Sequence, residues 1–413
     1  MMLHQRLGFL VLLCAVVAMV ALGALGVGHG GLADTNLDMR FLYLAGVRWW
    51  HGVSAYVPGG LVSSDPWLGE AAAGYDFAYP PQSAPLCLLL GAWSPTGARV
   101  LMTALNVAAA LALAALSLRF VREGQPYQHA GRTDAATWAI PAIVLGNPTT
   151  SFVIWAGQTT LIVALALMAG WEYGRRGRWI VGGILLAFAT IKPQLSCLAI
   201  LWLALERRWR VLTVMVFAIL MFAAVPLIVS GPVGLAREWI VSVQRYGAGP
   251  YNTLGSRMIF GLRNMLYAVG IHAPSFVPVA FLAFALAWRY RAEIVDENVL
   301  SLLVGVSLLS GFAHSYDVAI LTPLVPAFWR HLHQRAGASL IGLGLMLVIT
   351  LPNSLLEPLH SPLLLHARVM ALLVALVWLV VMSVREAGIR RRMPAEGPRL
   401  DACRQSGGWG AGW

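Results

Sequence analysis

ARVLMTALNVAAALALAALSLRFV, residues Ala98–Val121, decides the fold. The run exceeds the roughly 20 apolar residues that cross a hydrocarbon core about 30 Å thick. Its two charges, Arg99 and Arg119, stand near its ends, where a long basic side chain reaches the interface. Working outward, further apolar runs lie at Leu7–Val27, Phe152–Trp171, Trp179–Ile191, Leu195–Leu205, Leu212–Val229, Phe276–Ala287, Val299–Phe312, Val318–Phe328, Leu340–Leu351 and Leu363–Val384. Two shorter ones, Ala84–Trp93 and Trp138–Leu145, read equally as crossings or as re-entrant pieces. Of 413 residues, 59% are hydrophobic and 11% charged, and mean hydropathy is +0.72; an ordinary soluble domain carries about 25% charged residues. A soluble globular domain, a disordered chain and a nucleic-acid-binding module are excluded. The composition predicts an all-α polytopic membrane protein.

The net charge of +11 is distributed in clusters between the apolar runs: Arg175, Arg176 and Arg178; Arg207, Arg208 and Arg210; Arg289 and Arg291; Arg330 and Arg335; Arg385 and Arg390 to Arg392. Such clusters mark cytoplasmic loops. His4 and Arg6 place the start of the first run inside as an uncleaved anchor, with a cleaved signal peptide ending near Ala33 as the alternative. Parity then puts two large loops outside, Gly28–Gln82 and Gly231–Ser275. The count closes at about 12 transmembrane helices when one of the two short segments crosses. Residues 1–384 are expected to form one transmembrane domain, and residues 385–413 a basic, disordered cytoplasmic tail. Cys14, Cys87, Cys197 and Cys403 show no spacing for a metal or a disulfide framework.

Polar residues that survive near membrane level converge, by the same parity, on the outer face: Asp38, Gln158, Lys192, Arg257, Arg263, His314 and Asp317. Asp38 precedes an aromatic stretch predicted helical over Asp38–Trp50, and reads either as a general base or as an acid favoured by a helix N-terminus. Asp34 is a rival four residues earlier. Lys192 is the one lysine among 29 basic side chains; it suits a phosphate as a point charge, or it snorkels. Gln158 fits a substrate contact or an interhelical hydrogen bond. His314 and Asp317, three apart, could bind a sugar hydroxyl, move a proton or pair with each other. Arg257 and Arg263 could clamp an anion or touch lipid phosphates. Tyr79-Pro80-Pro81 reads as a rigid turn.

These motifs, in this order, resemble glycosyltransferase family 87. The likeness rests on Asp38-Met-Arg-Phe-Leu-Tyr43-Leu-Ala45, Gly52, Ala55-Tyr56, Phe77-Ala-Tyr79-Pro80-Pro81, Gly157-Gln158, Lys192-Pro193, Asn252 to Arg263 and His314-Ser-Tyr-Asp317. The resemblance implies a GT-C fold whose two outer loops carry interfacial helices, in the cytoplasmic (inner) membrane, with its site on the extracytoplasmic face. It implies transfer of one sugar, mannose by family habit, from a polyprenyl-phosphate donor to a lipid or glycan acceptor. Asp38 falls at the family's acidic catalytic position. Lys192 with Arg257 or Arg263 would hold the phosphate, and Gln158, His314 and Asp317 would orient sugar or acceptor. No metal and no cofactor is expected. A lipid-linked glycan polymerase or ligase is the alternative enzyme. A solute transporter is the non-enzymatic one, although its ionisable groups would lie near the midplane rather than at one face.

Overall fold

The computed structural model describes residues 36–57, 76–123, 136–249, 251–332, 336–351 and 366–392, with Val17, Leu68, Leu356, Ser361 and Leu364 as single positions. The expected anchor Leu7–Val27 (Val17 apart), Asp34 and the tail beyond Arg392 lie outside the described residues.

Within them the chain is overwhelmingly helical. Three helices are long and apolar enough to cross a membrane: Pro95–Glu123, Ala224–Ala248 and Ala367–Gly388. The pair Pro148–Ala156 and Thr160–Arg175 qualifies as a fourth only when taken together, and it bends by 117° at its break. Shorter apolar helices cover Trp179–Ala189, Pro193–Leu205, Trp209–Phe222, Val277–Arg289 and Asn298–Ser310. The ambiguous short segments form helices Ala84–Gly91 and Ala136–Leu145; at 1.5 Å per residue these span roughly 12 and 15 Å, too little to cross alone.

Several boundaries differ from the expected runs, each for a local reason. Phe152–Trp171 is not one continuous helix. Asn147 caps a helix that begins earlier, its Oδ1 accepting from the Thr149 amide at 2.9 Å with Pro148 in the first turn. Gly157, in the left-handed region at φ 67°, ends that helix. Pro193 opens a helix with Lys192 at its N-cap, so the hairpin does break where expected. Gly231 (φ 66°) and Pro232 kink the Ala224–Ala248 helix. That helix therefore turns the first part of the expected outer loop Gly231–Ser275 into regular structure. Val318–Phe328 divides into a 3₁₀ stretch, Ser315–Leu321, and a helix, Leu324–Leu332. The final helix runs from Ala367 to Arg392, so residues 385–392 continue it instead of starting a disordered tail.

Two apolar cores hold the molecule. The larger fills the helix bundle around Leu113, Leu167, Leu203 and Leu372. The smaller sits under the first outer loop, where Trp49, Tyr56 and Phe77 meet with ring centroids 5.5–6.1 Å apart. Helix Met39–Trp50 crosses helix Ala84–Gly91 at backbone contact. A Cβ on Gly46 would run into the Cys87 carbonyl, and one on Gly91 would stand 2.6 Å from the Val47 amide nitrogen. Only glycine permits that approach. The described sheet is one antiparallel pair, Ile259 opposite His314 and Phe260 opposite Ala313. It fastens the second outer loop to the segment carrying His314.

Candidate active site

The break at Gly157 builds the site. The last carbonyls of helix Pro148–Ala156 have no partners within their own helix. The backbone N–H of Asn36 donates to the Trp155 carbonyl at 2.6 Å, and that of Asp38 to the Ala156 carbonyl at 3.0 Å. The first outer loop is thereby docked on a helix end more than a hundred residues away. Gly157 makes room for it: a Cβ there would lie 2.6 Å from Asn36 Oδ1 and 2.7 Å from Met39 Cβ.

That docking places Asp38, half-buried, beside Gln158. Gln158 Nε2 donates to Asp38 Oδ2 at 2.5 Å and to the Tyr316 hydroxyl at 3.0 Å. Gln158 Oε1 accepts from the Tyr79 hydroxyl at 2.8 Å and from Lys192 Nζ at 3.4 Å. Lys192, 5% exposed, gives its shortest contacts to Asp317 Oδ1 at 2.5 Å and Thr160 Oγ1 at 2.8 Å. It also lies over the Tyr316 ring, 4.9 Å from the centroid. Asp317, 1% exposed, accepts the Thr160 hydroxyl at 2.9 Å and the His314 backbone N–H at 3.0 Å. His314 stacks on Tyr316 at 5.0 Å and 4°. Its Nε2 meets Asn252 Oδ1 at 2.9 Å, joining the second outer loop to the cluster. Helix Ala224–Ala248 holds the extended segment leading to Tyr79: Ser242 Oγ donates to the Phe77 carbonyl, Trp239 Nε1 to the Ala78 carbonyl, and Arg245 to Asp76 and the Tyr56 carbonyl.

Electrostatically the site separates its two carboxylates. Burial raises the Asp38 pKa, an effect opposed by the Gln158 hydrogen bond and by the charges of Lys192 and Arg40 and reinforced by Asp317. Burial pushes Asp317 the same way, but the Lys192 charge, His314 and the hydrogen bonds from Lys192 and the His314 amide together override it and hold that carboxyl below the usual range. Burial brings His314 down to about 4, against the pull of Asp317, so the imidazole is neutral at physiological pH. With both nitrogens engaged by Asn252 and by the backbone at Asp317, it is a fixed hydrogen-bonding group.

Of the seven expected residues, the structure therefore brings Asp38, Gln158, Lys192, His314 and Asp317 into one hydrogen-bonded cluster. Arg257 and Arg263 remain exposed on the second outer loop, with Arg263 Nε donating to the Ala273 carbonyl. Thr160 and Tyr246, whose hydroxyl stands 3.5 Å from His314 Nε2, belong to the cluster without having been singled out, and Asn252 had entered only as the start of the stretch reaching Arg263. Tyr79, read as part of a rigid turn, supplies a hydroxyl to its centre. Tyr316 lay unremarked inside the His314–Asp317 motif. Among the described residues, no three His, Cys, Asp or Glu side chains group as a metal site.

A buried network of acid, amide, ammonium and phenol groups inside a helical membrane protein, joined to the segments 36–57 and 251–263, is the candidate site of an enzyme. The chain belongs to glycosyltransferase family 87, whose family model matches residues 77–315, and the protein is a membrane glycosyltransferase. The match includes Gln158, Lys192, Arg257, Arg263 and His314, and ends two residues before Asp317. It begins after Asp38. No curated protein and no solved structure matches the chain.

Proposed function

We propose that this glycosyltransferase moves one sugar, mannose in the first instance, from a polyprenyl-phosphate donor to a lipid or glycan acceptor on the extracytoplasmic face of the inner membrane. Asp38 is the general base. The observation that carries this reading is the asymmetric state of its carboxyl group: Oδ2 is held by Gln158 at 2.5 Å, while Oδ1 takes no hydrogen bond from any described residue. One oxygen is thus fixed and the other is left for an acceptor hydroxyl.

The chemistry balances without a nucleotide. The acceptor oxygen attacks the anomeric carbon, its proton passes to Asp38, and the bond from that carbon to the phosphate oxygen breaks. Polyprenyl phosphate departs with the electron pair. One displacement inverts the anomeric configuration. The exposed guanidinium groups of Arg257 and Arg263 suit the departing phosphate, since arginine matches phosphate oxygens bidentately. In the GT-C-like architecture we favour, about twelve crossings with both ends cytoplasmic require one of the short pieces, Ala84–Gly91 or Ala136–Leu145, to cross together with a neighbouring helix.

Transfer of label from polyprenyl-phosphomannose to membrane lipid or glycan tests the reading. Asp38→Asn should lower transfer by about 10²–10⁴-fold, the usual contribution of a positioned base, while expression and monodispersity stay unchanged. Full activity in a folded Asp38→Asn protein would remove Asp38 as the base.

A further inference from the structure

Gln158 uses every hydrogen-bonding position its side chain has. Its oxygen accepts two bonds, from Tyr79 and Lys192, and its nitrogen donates two, to Asp38 and Tyr316. The polarity of this amide is not free. Lys192 is an ammonium with donors only, so the Gln158 atom beside it must be oxygen. The nitrogen is then obliged to face Asp38. Lys192 is in turn held by Asp317 and Thr160, both in the rigid interior. Nothing on Gln158 remains for a sugar or an acceptor.

We propose that Gln158 is a positioning residue for Asp38: Lys192 and Tyr79 hold its amide oxygen, and its amide nitrogen is thereby turned onto the carboxylate, keeping it aimed and charged. The inference rests on the reading of Asp38 as the base. It moves Gln158 and Lys192 from direct substrate contact to the support of that base. The charged groups acting on Asp38 are Lys192, Asp317 and Arg40; the phenols of Tyr79 and Tyr316 complete the cluster.

Two readouts on the purified full-length protein test it. The first is independent of activity: the pH midpoint at which the Asp38 carboxyl reacts with a water-soluble carbodiimide, followed by peptide mass spectrometry. Gln158→Met keeps the length and removes the donor, and should raise that midpoint by about one pH unit, the size expected when a hydrogen bond to a carboxylate is lost. Tyr79→Phe removes one of the two bonds to the amide oxygen, leaves Lys192 in place and should raise it less; it keeps the test open if Gln158→Met misfolds. The second readout is transfer from polyprenyl-phosphomannose in membranes lacking the native gene. Gln158→Met should lower the maximal rate by about 10–100-fold, the cost of a misplaced catalytic group, with the donor KM unchanged and the acid limb displaced to higher pH. An unmoved labelling midpoint, or a raised KM at unchanged maximal rate, overturns the inference. An unmoved midpoint together with inactive Asp38→Asn overturns the positioning role alone. A displaced midpoint with fully active Asp38→Asn overturns the base assignment and leaves the contact without a catalytic purpose.

Discussion

At the residue scale the decisive contact is the ion pair of Lys192 and Asp317, both almost fully enclosed. A buried pair loses more when one partner goes than when both do, because a lone enclosed charge has no compensation. Lys192→Met and Asp317→Leu should each lower stability by about 3–5 kcal/mol, while the double substitution recovers most of that loss. Thermal unfolding in detergent reads the difference, and strictly additive losses would argue against the pairing. His314 makes a separate prediction. Its folded pKa lies near 4, below the roughly 6.5 of a free imidazole. The neutral form is the one that folds, so its contribution is complete above about pH 6.5 and is lost as pH falls from there toward 4. Asp317, also shifted downward, acts in the same sense and loses its contribution only at still lower pH. His314→Gln should flatten the stability profile between pH 6.5 and 4 and leave the more acidic region intact.

At the scale of elements, glycine decides where helices meet. Gly46 and Gly91 lie at the crossing of helices Met39–Trp50 and Ala84–Gly91. A methyl group at either forces two backbones apart, and overpacking of that kind costs about 1–3 kcal/mol. Gly46→Ala and Gly91→Ala should each lower the melting temperature, whereas Gly177→Ala, with nothing within 4 Å of its Cβ, loses only what a left-handed backbone costs a non-glycine residue. Elements differ in how openly the sequence declares them. The break at Lys192–Pro193 is legible, because proline starts helices and cannot continue them. The break at Gly157 is not, since the apolar character of Phe152–Trp171 continues through it and a single glycine inside a span is ordinary. Helix Met39–Trp50 could be read from its aromatic spacing. Its crossing partner could not be assigned, because an eight-residue apolar piece has no period of its own to read. Asp38 and Lys192 stood out by charge and by rarity. Their link through Gln158, 120 and 34 residues from each, is tertiary and has no signature in local sequence.

At the scale of the whole molecule, topology is the open quantity that labelling can fix. The positive-inside pattern puts the Arg207–Arg210 turn in the cytoplasm and helix Ala224–Ala248, beyond its Gly231 kink, outside. Exposed Gln244 and Arg207 serve as reporters in a background lacking native cysteines. Gln244→Cys should react with an impermeant maleimide in intact cells, and Arg207→Cys only after permeabilisation. The reverse order would invert the assignment of faces. The family match shows how unevenly the enzyme is written along its chain: residues 77–315 are covered, yet the proposed base lies upstream, and only folding joins the two parts.

The two amides of Asn36 and Asp38 that rest on the stump of helix Pro148–Ala156 bear on how such enzymes can be recombined. A hybrid that imports residues 36–57 from a cousin would bring the proposed base with no seat, because the mortise for it is cut in residues 148–160. Donor preference and acceptor preference can be shuffled between parents only if those two stretches travel as one cassette.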